Sequence, residues 1–164
     1  MVDTHEATAH SAESPSEADI WAWLEAVPDP EIPVISVVDL GVIRGVEVTE
    51  HEVTVTITPT YTGCPAMAMI TRDIKTALSG HGIEHLAIET QLAPAWTTDW
   101  ISADGLARLE QYGIAPPRQS GVPARCPRCH SNSVERVSQF GSTPCKAQWR
   151  CKECLEPFDY FKCL

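Results

Sequence analysis

The sequence has no run of eighteen apolar residues, so no membrane-spanning helix is expected in its 164 positions. It lacks the basic start and apolar stretch of a secretory signal, which points to a cytoplasmic protein. Basic residues are scarce: 12 Lys and Arg stand against 22 Asp and Glu, for a formal net charge of −10. The shortage is concentrated, with 5 basic against 18 acidic side chains in residues 1–124. An acidic body repels nucleic acid and anionic membranes, which argues against both as partners. There is no Ser-His-Asp order in a nucleophile-elbow context, no phosphate loop, no Gly-x-Gly-x-x-Gly and no four-helix carboxylate pattern. No catalytic residue is expected.

Cysteine, by contrast, is plentiful. Seven occur, an odd number, and four form the pairs Cys126/Cys129 and Cys151/Cys154. In a chain without a secretory signal, that spacing favours metal binding in a reducing compartment over disulfides. Zinc takes four tetrahedral thiolates, and two Cys-x-x-Cys loops supply them in matched pairs. Residues 125–164 are therefore read as a zinc ribbon with those four ligands. Its β-excursion draws on Val134, Val137, Phe140 and Trp149 for apolar side chains. A segment this short cannot bury enough surface to fold unaided, so structural zinc supplies the missing stability. The ribbon holds 7 basic against 4 acidic residues, which suits an acidic protein partner. A nucleic-acid-binding ribbon ranks last among the readings. His130 is expected to be exposed. Cys145 falls at an expected loop tip beside Lys146, which favours negative charge on its sulfur; it is either a passenger or a reactive thiol or transient ligand. Cys163 is penultimate and expected to be mobile.

The rest predicts an α+β fold, a small mixed β-sheet packed with helices, over residues 15–113. Residues 1–14 form an acidic tail expected to be disordered. Ser14-Pro15-Ser16-Glu17 reads as a helix start, followed by Ile20, Trp23, Leu24 and Val27 on one face. Two strands over residues 42–48 and 53–58 make a hairpin, the second alternating Val53, Val55 and Ile57 with threonines. A helix from near Cys64-Pro65 carries Met67, Ile70, Ile74, Ala77 and Leu78 at helical spacing. A strand over 86–92 returns parallel to the second strand. Ser102 caps a last helix through Leu106, Leu109 and Tyr112, closed by Gly113. Residues 114–124, with three prolines, are expected to be a stiff linker.

Thr62-Gly63-Cys64-Pro65 is the most informative feature of the first domain. Cys64 occupies a strand-to-helix turn, where free backbone N–H groups and the helix dipole favour negative charge on sulfur. Gly63 there admits close approach of a ligand or backbone. A small buried Cys packing under the turn is the alternative. Asp39 and the Asp29/Glu31 pair in the proline-rich acidic loop are candidate hard oxygen ligands beside that thiol, although such carboxylates are more often caps. His51, His81 and His85 are expected to face solvent.

Asp29-Pro30-Glu31-Ile32-Pro33, Val38-Asp39-Leu40-Gly41 and Thr62-Gly63-Cys64-Pro65 resemble the small domain of SufT and of cytosolic iron–sulfur assembly factors. Phe140-Gly141-Ser142-Thr143, Cys145-Lys146 and the stretch from Cys151 to Cys163 resemble the C-terminus of the PaaD family, the D proteins of phenylacetyl-CoA epoxidase systems. The likeness covers roughly residues 18–164; Pro144 departs from it, where a small residue is expected. The resemblance implies a role in aerobic phenylacetate breakdown, maturing or delivering the iron–sulfur cluster of the epoxidase reductase subunit. It also implies that Cys64 is the reactive thiol, with Asp39 nearby and Cys145 assisting in cluster or iron transfer. The implied partners are the reductase and the oxygenase subunits. A cluster bridged by two Cys64 residues would require a homodimer. A purely structural subunit of the oxygenase complex is the competing reading.

Overall fold

The computed structural model describes residues 15–163. The acidic tail expected at 1–14 lies outside the described residues. Among those described, no helix is long and apolar enough to cross a membrane.

The first helix, α1 (Glu17–Glu25), is capped by Ser16, whose hydroxyl accepts the Asp19 N–H at 3.3 Å. The Asp19 carboxylate accepts the Ser16 N–H at 2.9 Å in return. The cap is therefore Ser16, because Asp19 is the acid placed to reach back, and Ser14 lies outside the described residues. Ile20 and Leu24 bury the inner face, and half-buried Trp23 stacks on His81 with ring centres 4.1 Å apart.

Strands β1 (Ile43–Val48) and β2 (Val53–Ile57) form the expected antiparallel hairpin. After α2 (Ala66–Gly80), strand β3 (Leu86–Thr90) returns parallel to β2, so the sheet order is β1-β2-β3. Val53, Val55 and Ile57 face Ala66, Ile70, Ile74 and Leu78 of α2 in one core. Thr90 is exposed, as an edge-strand end allows. Ser102 caps α3 (Ala103–Tyr112) through the Gly105 N–H at 2.8 Å, and Gly113 closes it at φ +100°. Leu109 is buried, whereas Tyr112 is exposed and falls off the expected stripe.

The segment before α3 straps the loop that precedes β1. The Trp96 indole donates to the Leu40 carbonyl at 3.0 Å, and the Ser102 N–H donates to the Asp39 carbonyl at 2.8 Å. Gly41 lies beneath this strap at φ +73°, and a Cβ there would sit 2.6 Å from the Trp100 carbonyl oxygen. Gly41→Ala is expected to cost about 2 kcal/mol or more, a fall in Tm of about 5 °C or more by thermal unfolding.

The second sheet combines β4 (Ile114–Ala115), β5 (Val134–Ser138), β6 (Lys146–Cys151) and β7 (Pro157–Phe161) in the order β4-β7-β6-β5. The stretch expected to open as a linker therefore begins with a buried strand, Ile114 and Ala115 pairing with Asp159 and Tyr160. Trp149, Phe158 and Tyr160 form a small core around Cys126 and Cys151. Val137 and Phe140 are exposed, contrary to the apolar role expected of them; Phe140 lies under the Lys162 ammonium at 4.6 Å.

Adjacent residues of a strand point to opposite faces, and at one end of this sheet both faces are buried. Tyr160 enters the ribbon core while its neighbour Phe161 enters the α+β core, its ring 6.2 Å from that of Trp96. Cys145, just ahead of β6, joins Phe161 in that first core. An Arg125–Glu110 ion pair at 2.8 Å adds to the contact. The ribbon is thus seated on the first domain.

Candidate metal centres

The four sulfur atoms of Cys126, Cys129, Cys151 and Cys154 lie within 4.8 Å of one another. Cys126 and Cys154 are 3.8 Å apart, and Cys129 and Cys151 are 3.5 Å apart. A tetrahedron with metal–sulfur bonds of about 2.3 Å has edges of about 3.8 Å, so the quartet fits zinc. Both Cys-x-x-Cys loops turn back the same way: His130 and Leu155, each following a second cysteine, adopt φ 61° and 63°. His130 is exposed, as expected.

Four thiols this close conflict without a cation. The backbone N–H of Cys154 foremost draws Cys151 down to about 7. The Glu156 N–H works to lower Cys154, yet burial and the thiols of Cys129, Cys151 and Cys126 drive it up to about 12. A divalent ion removes the conflict by holding all four as thiolates, and bound there zinc would act as a structural cross-link.

The second centre lies where the two halves meet. Cys64 precedes α2, its N–H donating to the Tyr61 carbonyl at 3.2 Å, and α2 has no side-chain cap at that end. Gly63 adopts φ +82°, and no described atom lies within 4 Å of where its Cβ would be. Glycine takes this left-handed turn without strain, and the space beside it is open. From the other half, Cys145 reaches the same place. Both line a narrow recess of about 20 Å³, walled by Ile32, Leu40, Ile70 and Phe161, with Asp29 and Glu31 on its acidic side.

Cys145 is 6% exposed, not at an open loop tip. Burial pushes its thiol up; the Thr143 hydroxyl at 3.0 Å works against this, Glu31 adds to it, and Lys146 opposes it. Lys146 does not prevail because its ammonium is also buried and shared with Asp159 at 3.7 Å. Tyr61 faces the same group of side chains. Its hydroxyl is buried without a hydrogen-bond partner, and burial, followed by Cys64, pushes it up to about 12.

Asp39 does not line this recess. Its carboxylate accepts the Ser102 hydroxyl at 2.6 Å and the Arg108 guanidinium at 2.7 Å, which ties α3 to the loop before β1. Asp29 accepts the Glu31 and Ile32 N–H groups at 2.9 and 2.8 Å, so it acts as a buried loop cap, and burial raises its pKa in spite of those bonds. Glu31 lines the recess together with Asp29; burial and then Asp29 raise the pKa of Glu31, and Lys146 lowers it. Sequence reasoning misses Tyr61 and the wall residue Phe161. The signal for Phe161 is the uninterrupted pair Tyr160-Phe161, which a strand covered on one face does not need.

Cys163 is exposed, 3.4 Å from the Thr98 hydroxyl, and takes no part in the recess. His51, His81 and His85 are exposed. Alkylation of the zinc-loaded protein is therefore expected to modify Cys163 and Cys64 while Cys145 stays protected until unfolding, as read by peptide mass mapping.

Residues 116–162 match the family described as "PaaD zinc beta ribbon domain", and residues 17–84 match "Iron-sulfur cluster assembly protein". A protein of Escherichia coli (strain K12), named as the D component of a "Putative 1,2-phenylacetyl-CoA epoxidase", is 46% identical over 156 residues, 92% of this chain and 94% of that one. The chain belongs to the PaaD family. The "Fe-S protein maturation auxiliary factor" of Porphyromonas gingivalis is 38% identical over 57% of the PaaD-family chain and 90% of its own length. Among solved structures, a domain of unknown function (DUF59) from Bacillus anthracis has a TM-score of 0.53 at 30% identity, covering 57% of this chain and 90% of that one. A conserved hypothetical protein from Thermotoga maritima has a TM-score of 0.52 at 25% identity, covering 60% and 97%. These shorter proteins are almost used up by the match, which leaves no length for a ribbon. In the PaaD-family chain, Cys145 and Phe161 fall among the residues matched by the ribbon family and outside those matched by the assembly family.

Proposed function

We propose that this protein serves phenylacetate breakdown as an accessory factor that matures or delivers the iron–sulfur cluster of the phenylacetyl-CoA epoxidase reductase subunit. Cys64 is the transferring thiolate and Cys145 its partner; Asp39 acts at one remove, by holding α3 and the strap. The observation that supports the reading is the shared recess, which is lined by a thiol from the ribbon family's segment and a thiol from the assembly family's segment. Zinc is structural and keeps Cys145 in position, whereas iron, as ion or cluster, is cargo. No bond-making step on an organic substrate is assigned to the chain. One chain holds both thiols, so the site is assigned to a single chain rather than to a homodimer. Free thiols of this kind suit the cytoplasm, and the oxygenase subunits are further candidate partners.

The test is a strain carrying Cys64→Ser. Growth on phenylacetate and the cluster content of the reductase are expected to fall to the level of a strain lacking the protein. Full cluster loading with normal growth would sink the proposal. The name of the E. coli relative favours a second account, a structural subunit of the oxygenase complex without metal traffic. That account requires co-purification with the oxygenase core at fixed stoichiometry and indifference to Cys64→Ser.

A further inference from the structure

Most cations of the ribbon segment are already neutralised. Arg125, Lys146, Arg150 and Lys152 each pair with a carboxylate. Arg136 and Lys162 have no such pair among the described residues, yet both are held in place. The Arg136 guanidinium donates to the Gln139 side-chain oxygen at 2.9 Å, and the Lys162 ammonium donates to the Gln139 carbonyl at 3.4 Å. Two positive charges therefore converge on one neutral residue.

The register puts these cations on one face of the ribbon sheet. Arg136 pairs directly with Trp149, and Ala147 with Tyr160. Directly opposed residues share a face, as do residues two apart in a strand, so Lys162 continues the face of Tyr160 just past β7. Arg136, Lys162, Gln139, Trp149 and Tyr160 line a pocket of about 270 Å³ there, together with exposed Cys163. None of its lining residues is an acid. The Trp149 side chain is buried, and its indole N–H has no hydrogen-bond partner. An acceptor that reaches this donor recovers the cost of leaving it unpaired.

Volume, field and surroundings select the occupant. The pocket is smaller than the ~300–1,000 Å³ usual for small-molecule and cofactor sites, so it suits a side chain. Residues 1–124 hold 18 acids against 5 basic residues, a field that repels a polyanion such as nucleic acid far more than it repels one carboxylate. Phe140 lies exposed 4.6 Å from the Lys162 ammonium, so an apolar residue flanking the acid has a surface to rest on.

We propose that this pocket binds an Asp or Glu side chain presented by an exposed segment of a partner protein. Arg136 and Lys162 take the carboxylate, and the Trp149 indole is the third donor. Only the identity of the partner rests on the function proposed above; the carboxylate site is tested without it.

The experiment uses the full chain with zinc in the ribbon and three probes: a capped peptide of alternating Glu and Gly, its Gln counterpart, and inorganic phosphate. The Glu peptide at millimolar concentration is expected to slow alkylation of Cys163 while that of Cys64 is unchanged, and to move the Trp149 indole N–H resonance. The Gln peptide should do neither. Arg136→Gln and Lys162→Gln should each weaken the Glu peptide by about tenfold or more, whereas Lys152→Gln, which removes the same charge elsewhere on the ribbon, should leave it unchanged. No protection of Cys163 by the Glu peptide, or equal weakening by Lys152→Gln, would overturn the proposal. So would phosphate acting as well as the Glu peptide, which assigns the pocket to a phosphate-bearing ligand. Self-association that Arg136→Gln abolishes would overturn it in favour of a second copy of the chain. The wild-type readings need no variant, so a misfolded substitution does not block the test. If reductase maturation depends on Cys64 while the Glu peptide does not bind, this proposal fails and the proposed function stands. If the peptide binds while the reductase loads normally in the Cys64→Ser strain, the proposed function fails and the carboxylate site stands.

Discussion

Stripping zinc with a chelator, or replacing Cys151 by Ser, is expected to unfold the ribbon and to dismantle the thiol recess with it. The ribbon core is small, with Trp149, Phe158 and Tyr160 as its large side chains around two of the sulfurs. Structural zinc contributes about 10–16 kcal/mol in zinc-finger peptides, as large as the whole net stability of an ordinary domain. Loss of the metal should therefore expose Trp149, seen as a red shift in fluorescence, and release Cys145 to alkylation. The α+β domain should survive at a lower Tm, because most of its core is its own and its shorter relatives fold without a ribbon. A zinc-free protein that keeps buried Trp149 fluorescence and a protected Cys145 would show that the metal is not what holds the ribbon.

Phe161→Ala should produce the second large effect, by a different route. Phe161 is 1% exposed and belongs to the core of the first domain although its strand belongs to the ribbon. Truncating a buried Phe costs about 3–5 kcal/mol, here a fall in Tm on the order of 10 °C. The four zinc ligands are untouched, so one zinc per chain should remain. What should change is the recess, since Phe161 is one of its walls: Cys145 should become reactive in the folded protein. Unchanged protection of Cys145 in this variant would mean that the ribbon is held in place by other contacts.

Much of this arrangement is legible in the residues, for identifiable reasons. The zinc quartet reads directly because two short loops impose their own geometry. The hairpin and its parallel third strand read from the Val/Thr alternation and the helix between. Ser102 and Gly113 mark α3 by local chemistry that tertiary contacts do not override. The failures lie at the junction. Cys145 sits in a stretch of Gly, Ser, Thr and Pro that looks like an open loop, and only docking on the first domain buries it. Lys146 looks like a neighbour able to stabilise negative sulfur, but it is buried with Asp159, and burial is the larger influence, raising the thiol's pKa. Asp39 stands close to Gly41 in sequence and is expected beside Cys64, yet Ser102 and Arg108, more than sixty residues away in the chain, claim its oxygens. Val137 and Phe140 are apolar but outward-facing, which periodicity over a short strand does not separate from buried. Each miss depends on what the rest of the chain places opposite a residue, information that a local pattern does not hold.

The most direct test of the account is a count of zinc, iron and sulfide per chain in protein purified without oxygen, for wild type and Cys64→Ser. The account predicts one zinc in both proteins and iron in the wild type that disappears from the variant. Equal iron in the two, or none in either after attempted reconstitution, would contradict a metal-transfer role for Cys64.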